Sequence, residues 1–94
     1  MRRKLIYSRH ADADLERLQV FIATESKRQA ARAIARIIRG LRNLRRFPDL
    51  GKETGDGYRQ LVLRHGKSGY IIRYRVFDDT VLITRIWHGK EDRS

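Results

Sequence analysis

Two runs of strand-forming residues, Tyr70 to Phe77 and Thr80 to Trp87, constrain the fold more than any other feature of this chain. Nearly every position in them is β-branched, aromatic, Leu or Arg, which suits a pleated, half-buried surface. Between them stand Asp78 and Asp79, short acidic residues that tolerate positive φ, so a hairpin with a two-residue turn is expected. Counting by twos places Tyr70, Ile72, Tyr74 and Val76 on one face of the first strand and Ile71, Arg73, Arg75 and Phe77 on the other. The same count divides the second strand into Val81, Ile83, Arg85, Trp87 and Leu82, Thr84, Ile86, His88. Arginines thus enter a sheet otherwise built for a core, with Tyr70 and Tyr74 as packing residues.

Upstream, Lys4 to Tyr7 reads as a short edge strand, and Ser8 as the cap of a helix carrying Asp12 and Asp14 in its early turns, where negative charge suits the helix dipole. Ala11, Leu15, Leu18 and Ile22 form its apolar stripe, with Asp14, Glu16 and Arg17 facing away. The periodicity breaks from Thr24 to Lys27. Ser26 is then the expected cap of a second helix that reaches about Arg46 and folds back on the first. Ala30, Ile34, Ile37, Ile38, Leu41 and Leu44 make its buried side, and Arg28, Arg32, Arg36, Arg39 and Arg46 lie opposite. Gly40 costs a helix roughly 1 kcal/mol relative to alanine, which implies close approach by the first helix or the sheet.

Phe47-Pro48 ends this helix, because proline disfavours α geometry in the residue before it. A flexible loop is expected from Asp49 to Gly57, and a strand from Tyr58 to Arg64 with Arg59, Leu61 and Leu63 on one face. His65 to Ser68 then turns the chain into the hairpin. The order β-α-α-β-β-β predicts a single α+β domain over residues 1–94, an N-terminal helical hairpin packed on a mainly antiparallel sheet.

The charge narrows the partners. Lys and Arg number 22 against 11 Asp and Glu, and 17 of the basic residues are Arg. Such an excess points to an acidic partner, and the planar guanidinium fork favours phosphate or carboxylate. With no cysteine, a disulfide framework, a thiolate nucleophile and a Cys-based zinc site are excluded. His10, His65 and His88 are far apart in sequence and lack the spacing of metal ligands, so neither metal nor cofactor is expected. The apolar run Leu5 to Tyr7 is too short for a signal peptide and no window approaches a membrane span, which leads to the expectation of a cytoplasmic protein with no membrane partner.

Taken together, the motifs resemble the RelE/ParE superfamily of type II toxin–antitoxin toxins. The matching features are Ala13-Asp14-Leu15, Ala30-Ala31, Leu44, Phe47-Pro48 with Gly51, Tyr58-Arg59 with Leu61, Tyr70 with Ile72, Tyr74-Arg75-Val76, Val81-Leu82-Ile83, Arg85-Ile86 and His88. They run through almost the whole chain. The resemblance implies a small basic toxin in a heteromeric complex with a cognate antitoxin, itself expected to bind DNA, whose acidic, apolar segment wraps across the toxin.

The superfamily divides by target: RelE-like toxins cut messenger RNA on the ribosome, whereas ParE-like toxins poison DNA gyrase and lack the nuclease residues. Here Leu61 stands where the nuclease pattern has a Lys, and Ile71 and Glu91 where it has Arg, while the chain stops at Ser94 before a C-terminal Tyr that some of those nucleases use. The expectation is therefore a ParE-like inhibitor acting by binding, with DNA gyrase as the partner and Arg85, His88, Lys90 and Arg93 as target-contacting residues. Arg28, Arg32, Arg36 and Arg39 are expected to meet the antitoxin. Under the alternative, a RelE-like ribonuclease, the groups available for chemistry are Arg59, Arg73, Arg85, His88 and Lys90. Arg73 and Arg75 otherwise only line exposed positions of the sheet, and His88 closes the last strand.

Overall fold

The expected order of elements is observed with one addition. A computed structural model describes residues 3–24, 27–66 and 68–90. The elements are β1 (Lys4–Tyr7), α1 (Arg9–Ala23), α2 (Lys27–Asn43), β2 (Lys52–Glu53), β3 (Arg59–His65), β4 (Ser68–Val76) and β5 (Thr80–His88). They form one five-stranded sheet in the order β1-β5-β4-β3-β2, with β1 parallel to β5 and every other pair antiparallel. The two helices cover one face and bury the core between them. The addition is β2, a two-residue strand inside the expected loop, paired with β3 through Lys52–Gln60 and Glu53–Arg59.

Local chemistry explains the helix ends. Ser8 caps α1, its Oγ accepting from Ala11 N–H at 3.0 Å. The expected cap at Ser26 lies outside the described residues. α2 stops at Asn43 instead of reaching Arg46, and its last turn tightens: Leu44, Arg45 and Arg46 donate to Leu41, Arg42 and Asn43 at 3.1–3.2 Å. Gly40 meets the sheet and not α1, since a Cβ there would lie 2.5 Å from Leu63 Cδ1 on β3. Tyr74, fully buried, anchors the segment after α2: its hydroxyl donates to Pro48 C=O at 2.7 Å and accepts from Gly51 N–H at 2.8 Å. Burial raises the Tyr74 pKa, partly offset by the Gly51 hydrogen bond and Arg59.

The hairpin forms where expected, closed by Phe77 N–H donating to Thr80 C=O at 2.8 Å. Neither aspartate takes a positive φ, so their tolerance of that region is not what makes the turn. Along β4 the alternation holds: Tyr70, Ile72 and Tyr74 are buried under the helices and Val76 packs against them. Along β5 it does not. Tyr74 pairs with Ile83 but Arg73 with Arg85, leaving Thr84 as an extra residue whose Oγ1 donates to Arg73 C=O at 2.9 Å. This β-bulge reverses the faces. The inward set is Val81, Ile83, Ile86 and His88, opposite Val76, Tyr74, Ile72 and Tyr70, so the count by twos that groups Val81 and Ile83 with Arg85 and Trp87 fails after Ile83.

The bulge also explains Asp14, which is 2% exposed although expected to face away from the buried stripe. β1 accompanies β5 only as far as Ile83, where Ser8 N–H donates to Ile83 C=O at 2.9 Å. Beyond that point α1 side chains cover the strand edge. Ser8 Oγ donates to Thr84 C=O at 2.9 Å, Asp14 Oδ2 accepts from Ile86 N–H at 2.8 Å, and Arg17 Nη2 donates to Ile86 C=O at 3.1 Å. Arg85 reaches the same carboxylate through Nε at 2.9 Å and Nη2 at 3.2 Å, and Arg17 joins it through Nη1. Burial opposes ionisation of Asp14, yet the bonds from Arg85, Ile86 N–H and Arg17 outweigh it and hold the carboxyl below its ordinary value.

Replacing Asp14 by Asn therefore removes the carboxylate that Arg85 and Arg17 share, and a loss of about 2 kcal/mol is expected, the part-exposed arginines limiting it. Because the folded pKa is depressed, this contribution is complete above the unfolded value near 4 and disappears as pH falls through the folded one. Urea titrations of both proteins should show a gap at pH 7 that narrows on acidification below about pH 4; a gap constant with pH contradicts the assignment. Tyr74→Phe, which strands Pro48 C=O and Gly51 N–H, should cost about 1–2 kcal/mol in the same titration.

Candidate partner-binding cleft

The structure disperses the five residues considered for chemistry. Arg59, on β3, donates to Gly51 C=O at 2.7 Å and pairs with Glu53 at 3.3 Å. Arg73, on the sheet face away from the helices, pairs with Asp56 and lies 4.3 Å from the centroid of the Tyr58 ring. Its Nε is buried without a hydrogen-bond partner among the described residues. Arg85 is directly opposite Arg73 and is held by Asp14. Like charges facing each other across a strand pair repel, and here each has its own carboxylate. Thr54 and Tyr58 N–H bind the Asp56 carboxylate and, with Arg73 nearby, hold its pKa below the ordinary value. Arg75 is 5.3 Å from both the Tyr58 and the Phe77 rings.

Arg73 and Arg85 share a shallow hollow of about 310 Å³ with His10, Tyr58, Ser8 and Thr84. His88 and Lys90 are elsewhere. His88, at the end of β5, is 8% exposed on the helix side, brought there by the bulge. Its ring lies 5.5 Å from Phe21 and 5.2 Å, edge-on, from Tyr70. Nδ1 accepts from Lys90 N–H at 3.0 Å, which makes Nε2 the nitrogen able to carry the proton of the neutral ring.

Around His88 opens a cleft of about 450 Å³ between the end of α1, the start of α2 and the outer ends of β3, β4 and β5. Its floor is apolar, from Ile22, Ala33 and Tyr70, with Phe21 as a wall. Arg32, Lys90, Gln29 and His65 stand at the rim, and no acidic residue is among the described residues lining it. Arg32 belongs to the arginine row of α2, in which Arg28, Arg32 and Arg39 are exposed and Arg36 is half-buried. Among the described residues none of the four has a carboxylate within ion-pair distance. Arg46, expected on the same side of the helix, lies beyond the end of α2 with its guanidinium 5.8 Å from the Phe47 ring. Arg93 and Glu91 lie outside the described residues.

Of the residues that the sequence marks as candidates for function, then, His88, Lys90 and Arg32 come together in the cleft, and Arg73 and Arg85 in the separate hollow. Phe21, His65 and Ala33 join them without having been expected there. Phe21 carries a signal: it is an aromatic beside the buried stripe of α1, and it remains 43% exposed. His65 and Ala33 carry none, because only the packing of α2 over the β3–β4 end places them here. Among the described residues no cluster of His, Asp and Glu could hold a metal ion, and no helix is long and apolar enough to cross a membrane.

Comparison with known proteins gives a consistent family. The chain matches the family model for the ParE toxin of type II toxin–antitoxin system, parDE, over residues 5–93. It is 36% identical over 89 residues to toxin RelE1 of Caulobacter vibrioides, covering 95% of this chain and 96% of that relative. Toxin RelE3 of the same bacterium is 35% identical over 83 residues, or 88% and 90% of the two chains. The fold is similar to a chain of the chromosomal ParDE toxin–antitoxin system from P. aeruginosa, with a TM-score of 0.74 and 23% identity over 89% of this chain and 92% of that one.

Because Phe21 keeps nearly half its surface in water, Phe21→Ala should lower stability by no more than about 1 kcal/mol. A loss of several kcal/mol on urea unfolding would place the ring in the core and not on a wall of the cleft.

Proposed function

The chain belongs to the ParE toxin family of type II toxin–antitoxin systems, and from that footing we propose that it inhibits DNA gyrase by binding, without chemistry of its own, until a cognate antitoxin covers it. The observation that carries this reading is the pairing of three of the sheet's five arginines, those considered for chemistry, with the protein's own carboxylates: Arg59 with Glu53, Arg73 with Asp56 and Arg85 with Asp14. A nuclease keeps its cations for the substrate phosphate and the charge that develops on it. Here those cations hold the fold together. His88 is likewise packed between two rings with Nδ1 engaged, a poor position for general acid–base work.

Among the cations without a carboxylate partner in the described residues are those of α2 and the cleft. Arg28, Arg32, Arg36 and Arg39 suit an antitoxin segment that is acidic, amphipathic and ordered on binding. For the target we assign Lys90 and His88 at the end of β5; Arg85, held by Asp14 in the other hollow, is left out of that contact. Both encounters take place in the cytoplasm, where gyrase works, and need no cofactor.

One observation favours the RelE-like alternative: the hollow that gathers Arg73, Arg85, His10 and Tyr58, two cations with an imidazole and a phenol, in a chain whose relatives carry the name RelE. A plasmid supercoiling assay with purified gyrase and ATP separates the two. Lost supercoiling with accumulation of linear DNA, both reversed by antitoxin, is expected. Unaffected supercoiling together with cleavage of messenger RNA on translating ribosomes, abolished by Arg73→Ala, would transfer the function to that hollow.

Reversing the charge of Arg28, Arg32, Arg36 and Arg39 together should slow antitoxin association about tenfold at low salt and flatten its salt dependence. Unchanged rates in stopped-flow measurements would reduce the row to a solvated face.

A further inference from the structure

α2 carries a charge pattern that works against its own stability. Arg28, Arg32, Arg36, Arg39 and Arg42 recur at spacings of four, four, three and three, which places them on one side of the helix, opposite its buried stripe. Neighbours three or four apart on a helix face each other, and like charges so placed repel. Lys27 and Arg28 also put positive charge in the first turn, where the helix dipole opposes it. An acid at any of the exposed positions Ala31, Ala35 or Asn43 would relieve the repulsion, yet the helix has none. Among the described residues no carboxylate is within ion-pair distance of the five arginines.

Such a row is relieved by a polyanion from outside, and its dimensions say which. Arg28 to Arg42 span about 21 Å at 1.5 Å per residue. A duplex presents one phosphate charge per about 1.7 Å of its axis, so about a dozen phosphates lie along that length. Guanidinium forks hold phosphate oxygens bidentately. An acidic peptide that orders on binding must find apolar burial beyond the row, because only Ala31 and Ala35 stand exposed beside its arginines. A duplex is ordered beforehand, and the release of its counterions drives its binding to such a face. The row also begins at the surface assigned to the target, since Arg32 lines the same cleft as His88 and Lys90.

Resting on the gyrase reading above, we propose that in the toxin free of antitoxin the outer face of α2 binds the phosphate backbone of duplex DNA, so that the toxin engages gyrase together with the DNA segment gyrase holds. The contact is independent of sequence, since phosphates carry no base information.

Fluorescence anisotropy of a labelled duplex of about 20 base pairs, titrated with the full-length toxin over a range of salt concentrations, tests the contact. Five phosphate contacts give a slope of log affinity against log salt of about −4 to −5. Arg28→Gln, Arg32→Gln, Arg39→Gln and Arg42→Gln combined, which keep helix propensity, should weaken binding about tenfold or more and bring the slope to about −1. Lys4→Gln, Arg9→Gln, Lys52→Gln and Arg64→Gln combined remove as many exposed cations outside α2. They should change affinity less than about threefold and the slope by less than about one. Equal losses in the two variants would reduce the contact to net charge and overturn it. Tighter binding of single-stranded DNA of the same length would overturn it too, as would displacement by polyglutamate as readily as by unlabelled duplex. Circular dichroism establishes that both variants are folded. In thermal unfolding the α2 variant should be at least as stable as wild type, because the repulsion is gone; a lower Tm would make the arginines structural and overturn the proposal.

The joint contact with gyrase is read separately, in the supercoiling assay, where the α2 variant should need about tenfold more protein for the same inhibition. Wild-type inhibition by a variant that has lost the duplex would overturn the joint contact. A wild-type toxin that binds the duplex and leaves supercoiling untouched would remove the gyrase reading alone, with the anisotropy series still deciding the role of α2.

Discussion

The carboxylate of Asp14 is the contact on which the rest of this structure depends. It is buried, and it accepts from Ile86 N–H, Arg85 and Arg17 at the place where β5 loses β1 as a neighbour. A strand edge with unsatisfied backbone groups would be a liability, and α1 closes it with side chains instead of another strand. The same contact holds the strand just past the bulge at Thr84. That bulge turns Ile86 and His88 inward and sends Arg85 out of the core. Without it, regular alternation would drive a guanidinium under the helices and leave His88 on the open face.

From this follows the division of charge over the molecule. The sheet's arginines at 59, 73 and 85 each have a carboxylate, Glu53, Asp56 and Asp14, the last shared with Arg17. α2 contains no acid at all, and its arginines face outward. The excess positive charge is therefore concentrated on one helix and at the cleft beside its start. A binding protein gains from this arrangement, because cations held by internal carboxylates contribute rigidity while unpaired ones steer and hold an acidic partner.

Much of the fold was legible in the sequence because it rests on strong local signals. The cap at Ser8, the stripe of Ala30, Ile37, Leu41 and Leu44, the strand alternation from Tyr70 to Val76 and the close approach at Gly40 each have a local cause that periodicity or residue type exposes. The misreadings share another cause. The second half of β5 and the burial of Asp14 both depend on a bulge, and a bulge leaves no mark in a count by twos. β2 was invisible because two residues carry no periodicity. The candidate site was half legible: charge marked Arg32 and Lys90, and His88 stood out by type, but their meeting with Phe21 and His65 comes from packing across elements distant in the chain.

The central claim is that partners meet this protein at the α2–cleft side while the paired arginines of the opposite sheet face remain structural. Backbone amide exchange of the toxin, alone and saturated with antitoxin, tests it most directly. Protection gained at Phe21–Ile22, Arg32–Ala33, His65–Gly66 and His88–Lys90, with no change around Tyr58, Arg73 and Arg75, is the result the account requires. Protection confined to the Tyr58, Arg73 and Arg75 face, with the cleft exchanging as before, would contradict it.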